Sequence, residues 1–69
     1  MSDTSKRNLR KLAAIVREEL RYSAAAIDRD DYQWAHIHAQ QAAGMAANLE
    51  ECVRLRAIEM GRQQGVPYA

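Results

Sequence analysis

Sixty-nine residues with a formal net charge of +1 make at most one small domain with a marginal core. The near-neutral balance argues against a strong global field toward nucleic acid or a membrane surface. One cysteine, Cys52, precludes an internal disulfide, and no apolar run approaches the ~20 residues that span a bilayer.

A partner subunit is then the expected remedy for the small core. A lone thiol, with no continuous apolar stretch behind the first basic residues, predicts a cytoplasmic rather than a secreted protein, without a membrane anchor. Arginine outnumbers lysine eight to two, and alanine is abundant. Both residue types have GC-rich codons, which points to a small protein of a high-GC bacterium or of one of its phages.

Residues 1–4 read as a polar lead-in, with Thr4 or Ser5 as the cap of a first helix. That helix is expected over about 5–27. Leu9, Leu12, Ala13, Val16, Leu20, Ala24 and Ile27 keep a helical period, and the span contains no glycine or proline. The segment Ile27-Asp28-Arg29-Asp30-Asp31 breaks the period, because aspartates favour caps and turns. Asp30 with Gln33 resembles a capping box, and Asp28 with Asp31 is the alternative cap, with Ile27 and Tyr32 as a hydrophobic staple. A second helix is expected over about 31–63. Gly44 is its weak interior point and suggests a close backbone approach. Gly65 followed by Pro67 supplies the stop, so that the hairpin occupies 5–64 and a tail 65–69.

So short a turn makes the helices antiparallel neighbours. An alanine-lined stripe, Ala35, Ala39, Ala42, Ala46, Leu49 and Val53, has the spacing of a helix–helix seam. The matching stripe on the first helix is Ile27, Ser23, Leu20, Val16, Ala13 and Leu9. Aligning the two predicts Ile27 beside Ala35, Ser23 beside Ala39, Leu20 beside Ala42 and Val16 beside Ala46, with large side chains mostly facing small ones. A second set of apolar residues is left over: Leu12, Ile15, Tyr22, Trp34, Ile37, Met45, Cys52 and Leu55. A strip of that length is expected to be an oligomer interface. The expected fold is therefore all-α, an antiparallel hairpin that dimerises into a four-helix bundle with two-fold symmetry. In pattern, residues 5–63 resemble Rop-type hairpin proteins; the resemblance is architectural and implies no function.

Basic residues cluster at the open end of the hairpin. Lys6, Arg7, Arg10 and Lys11 begin the first helix, and Arg54 and Arg56 are expected alongside, with Arg62 beyond. Such a cluster fits a phosphate or an acidic protein partner, although Glu50, Glu51 and Glu59 partly neutralise it. His36 and His38 stand two apart and point to opposite sides of a helix, which does not suit a zinc pair. No metal or cofactor is therefore expected. Arg29 and His36 are separated by six residues, a spacing that resembles the arginine–histidine motif of the HEPN ribonuclease superfamily. That family carries its motif in a larger helical domain, whereas here the pair spans a turn and Arg29 reads as a turn residue. Cys52 has no neighbouring histidine or helix N-terminus to activate it. The expected function is that of a small non-catalytic interaction or adaptor protein acting through helical surfaces, on itself and on a protein partner. The alternative is a nucleic-acid-binding regulator using the basic end.

Overall fold

Why the chain turns once and where it turns follow from its caps. The computed structural model describes residues 3–64, with side-chain surroundings as far as Gly61. It contains two helices, α1 (Lys6–Asp28) and α2 (Tyr32–Gln64), packed against each other as an antiparallel hairpin. The expected stop at Gly65–Pro67, the tail and residues 1–2 lie outside the described residues.

Ser5 caps α1. Its backbone is extended, and its hydroxyl accepts the Asn8 N–H at 3.2 Å. Asp3 supports the cap from outside, its carboxylate accepting the Ser5 N–H at 2.9 Å. That backbone bond, and then the Ser5 hydroxyl, hold the Asp3 carboxyl below its ordinary pKa.

At the other end α1 closes in a Schellman arrangement. The Asp31 N–H donates to the Ala26 carbonyl at 2.8 Å and the Asp30 N–H to that of Ile27 at 2.9 Å. This geometry needs one left-handed residue, and Asp30 supplies it with φ 60°. An aspartate tolerates that region better than most side chains do. Asp31 then caps α2, its carboxylate accepting the Trp34 N–H at 3.3 Å. One residue thus ends the first helix motif and starts the second, which leaves no slack in the connection.

The tight turn sets the register. The Ser23 hydroxyl donates to the Ala35 carbonyl at 2.8 Å, and His38 Nδ1 lies 2.7 Å from Glu19 Oε2. Ser23 therefore faces Ala35 and not Ala39, one helical turn tighter than the sequence alignment of the stripes. The inner seam is also rotated. Leu12, Ser23 and Ala26 are buried on α1, and Ala35, Ala42 and Cys52 on α2. Between them, Val16 and Glu19 on α1 and His38, Met45 and Leu49 on α2 are half-buried. These positions keep the alternating three- and four-residue spacing of a seam. Leu20, Ile27, Ala39 and Val53, expected inside, are exposed instead.

Gly44 lies exposed, and a β-carbon added there would meet nothing within 4 Å. The expected close approach is thus not made within the hairpin. At 33 residues α2 outruns the 23 of α1 by ten, which is about 15 Å of helix at the usual rise. No helix among the described residues is long and apolar enough to cross a membrane.

Candidate functional site

Beside the turn, a shallow open depression of about 350 Å³ is lined by Tyr22, Ala25, Arg29, Asp31, Trp34 and His38. Its floor is an aromatic group. The His38 ring sits 5.8 Å from Trp34, nearly parallel to it at 27°, and 5.3 Å from Tyr22 at a tilt of 49°. Trp34 and His38 are one turn apart on α2, so the helix itself stacks them. Tyr22 comes across from α1 because the tight register brings Glu19 and Ser23 beside His38 and Ala35.

Glu19 fixes His38 from the seam side at 2.7 Å, with both side chains about three-quarters covered (25% and 21% exposed). Glu18 fixes Tyr22 from the solvent side, accepting its hydroxyl at 2.8 Å. That hydrogen bond, with the charge of Glu18 behind it, raises the Tyr22 phenol above its ordinary pKa. The outer ring surfaces stay free, with Trp34 54% and Tyr22 48% exposed. The depression thus offers flat apolar contact with an arginine and a carboxylate at its rim. Such surfaces suit protein contacts, since aromatic residues and arginine dominate binding energy at interfaces.

The residues expected to form an oligomer stripe divide into three groups. Leu12 and Cys52 are buried inside one chain, so they belong to the hairpin's own seam; the Cys52 thiol points to Asn48 Oδ1 at 3.8 Å. Ile15, Ile37 and Met45 are half-buried. Tyr22, Trp34 and Leu55 are exposed and remain available to a partner. Glu19 was missed because Leu20 beside it is the more apolar choice for a seam. The signal that finds it is His38, which stands on the facing stripe once Ser23 is set opposite Ala35.

At the open end Lys6, Arg7, Arg10 and Lys11 are all exposed, and none makes an ion pair among the described residues. Arg7 and Lys11 line a second shallow recess, of about 240 Å³, with Asp3, Ser5 and Asn8. Arg54 is held by Glu50 at 3.4 Å, and Arg56 is half-buried. His36 is exposed. Among the described residues, no group of three His, Cys, Asp or Glu side chains is placed to hold a metal ion.

What the fold defines is a two-helix hairpin with an open aromatic depression beside its turn and a basic start to α1. Comparison with protein-family models, curated proteins and solved structures finds no match to this chain.

Proposed function

We propose that this chain is a binding protein and not an enzyme, a helical hairpin that self-associates into a four-helix bundle and presents its remaining surface to a protein partner in the cytoplasm. One observation carries the proposal. Among the described residues the buried apolar set is Leu12, Ala26, Ala35, Ala42 and Cys52, while Leu20, Tyr22, Ile27, Tyr32, Trp34, Val53, Leu55 and Met60 are exposed. Apart from Leu12 the buried residues are small, and the largest apolar side chains, Trp34 and the tyrosines Tyr22 and Tyr32 among them, are outside. Burying a Leu, Ile or Trp contributes roughly 1.5–3 kcal/mol, far more than burying an alanine methyl. A chain whose strongest apolar side chains are unused by its own fold gains most of its stability from what covers them.

Light scattering at micromolar concentration is the test. It should return twice the chain mass of 7.8 kDa, with a melting temperature that rises with concentration. A monomer with a concentration-independent melting curve would overturn the proposed self-association.

A second function is favoured by the four exposed cations of the first turns of α1, none of which makes an ion pair among the described residues. They suit a phosphate backbone, and binding through about four phosphates would give a slope of log K against log salt of roughly −3.6 on duplex DNA. Asp3 stands among them as a carboxylate, and Glu50 takes up Arg54. Both weaken the local field, which places this function second. Titration of duplex and single-stranded nucleic acid at low salt decides it; no binding there removes it.

A further inference from the structure

The rotation of the seam leaves a second apolar strip. Ala13, Leu20 and Ile27 on α1, with Ala39, Ala46 and Val53 on α2, each follow a seam residue by one position. In an antiparallel pair such positions share one side of the hairpin. The other side is marked by Tyr22 and Trp34, which meet at His38. The seam the chain uses internally carries Ser23, Glu19 and His38; the six strip residues are all apolar, and Arg17, His36 and Glu50, which follow the seam residues Val16, Ala35 and Leu49, border them on the same side. Leu20 is 53% and Ile27 50% exposed there.

We propose that this strip is the docking surface for a second copy of the chain, seated with the turn of each hairpin against the open end of the other. The proposal rests on the self-association proposed above and names its face and direction. Three observations favour this occupant.

The strip is self-complementary about one two-fold axis. With the copies running head to tail, α1 meets its symmetry mate so that Leu20 covers the partner's Ala13, and the reverse. On α2 the same operation sets Ala39 on the partner's Ala46 and Val53 beside the partner's Tyr32. The hairpin's own register, Ser23 opposite Ala35 and Glu19 opposite His38, places the midpoint of Ala13 and Leu20 within two residues of the midpoint of Ala39 and Ala46. That mismatch is about 3 Å of helix, so one axis serves both pairs.

Charge favours one direction. The turn carries Asp28, Asp30 and Asp31 against Arg29 alone, and the open end carries Lys6, Arg7, Arg10, Lys11, Arg54 and Arg56 against Asp3, Glu50, Glu51 and Glu59, a smaller excess of positive charge. Head to tail, acidic turn meets basic start twice over. With turns together, six aspartates would crowd at one end.

The area suffices. The molecule extends 51 × 23 × 19 Å, so a face along its length offers on the order of 800 Å² per copy, the usual share of a specific dimer.

Two measurements test the proposal in the full chain. Leu20→Glu changes an exposed side chain, so helix content by circular dichroism should persist while light scattering falls to the monomer mass; Ala46→Glu should do the same. Leu55→Glu, on α2 away from the strip, should stay dimeric. A dimer that survives Leu20→Glu and Ala46→Glu but is lost with Leu55→Glu or Trp34→Ala would overturn the choice of face while leaving self-association intact. A wild-type chain that is monomeric would remove both. For direction, a spin label at Arg29→Cys in a Cys52→Ala background reads the distance between the two turns. Head to tail, the labels lie about 40 Å apart from the helix rise alone. A distance of about 20 Å or less would place the turns together and overturn the proposed direction.

Discussion

Two adjacent alanines separate the observed seam from its neighbours with a single pair of variants. Ala26 is completely buried, at 0% exposure, and its carbonyl anchors the turn by accepting from both Arg29 and Asp31. Ala25, one residue earlier, is exposed and lines the open depression beside Trp34. Leucine at either position is compatible with the helix, since its propensity is close to that of alanine. The added carbons differ only in where they go. At Ala26 they enter a filled space between α1 and the start of α2, and overpacking of that kind costs roughly 1–3 kcal/mol. At Ala25 they enter about 350 Å³ of open volume, where a surface change stays within about 0.5 kcal/mol. For a domain of this size 1 kcal/mol moves the melting temperature by about 4–8 °C. Ala26→Leu should therefore melt about 8–16 °C below the parent for a cost near the middle of that range, and Ala25→Leu within a few degrees of it. Melting curves recorded by circular dichroism at matched concentration give both numbers. Equal melting temperatures for the two variants, or a larger loss at Ala25, would refute the register built on Ser23 and Glu19.

Gly44→Ala should raise stability by about 1 kcal/mol, because the position is helical and a β-carbon there meets nothing within 4 Å; a lower melting temperature would show that something packs on Gly44 in the assembled protein. Ser23→Ala should cost about 1 kcal/mol in chemical denaturation, since it removes the 2.8 Å bond to the Ala35 carbonyl while that carbonyl keeps its place in the helix; an unchanged midpoint would mean that the bond does not form in solution. The raised Tyr22 pKa, due first to the hydrogen bond to Glu18, makes a signed claim. Its stabilising contribution is complete below the ordinary phenol value of about 10 and is lost as pH rises through the higher folded value. An ultraviolet phenolate titration of the parent against Tyr22→Phe isolates this group, and Glu18→Gln should bring its midpoint down. A Tyr22 midpoint that ignores Glu18→Gln would count against the bond.

Much of the hairpin was legible in the sequence, because its signals are local. Apolar period, the aspartate-rich break and a serine cap place the starts of both helices and the end of α1 to within a residue. Face and register were not, and the reason is physical. Two seams fit the same spacing. They share Leu9, Val16 and Ser23 on α1 and Ala35, Ala42 and Leu49 on α2, and they differ in the alternates: Ala13, Leu20 and Ile27 with Ala39, Ala46 and Val53, or Leu12, Glu19 and Ala26 with His38, Met45 and Cys52. Hydrophobicity alone prefers the first. The turn decides for the second: Asp31 serves both helices, the chain reverses without slack, and Ser23 arrives at Ala35. With that register Glu19 meets His38, and a polar pair that looked unfit for a seam completes one. The depression at Trp34 was hidden for the same reason. Tyr22, Trp34 and His38 are each visible in the sequence as helical residues, but their convergence depends on which turn of α2 lies beside which turn of α1.

The rejected seam is itself informative. A stripe with seam spacing, large and small residues in alternation and Ser23 as its one polar member is not what a solvated surface requires, where helices carry charge on their outer faces. On this hairpin the six outer strip residues are more apolar than the inner seam, and the inner seam is held in place by a turn, a serine hydroxyl and the Glu19–His38 hydrogen bond. These are directional contacts. They set one register without burying much apolar area, and they suit a subunit whose geometry must be fixed before its main apolar contact is made. The outer strip lacks such contacts; it supplies apolar area that only another surface can cover. In the proposed dimer one chain would therefore separate the two tasks: specificity lies within the hairpin at Ser23, Glu19, His38 and Asp31, and the exposed apolar area at Leu20, Ile27 and Val53 is left for a second copy with the same register to cover.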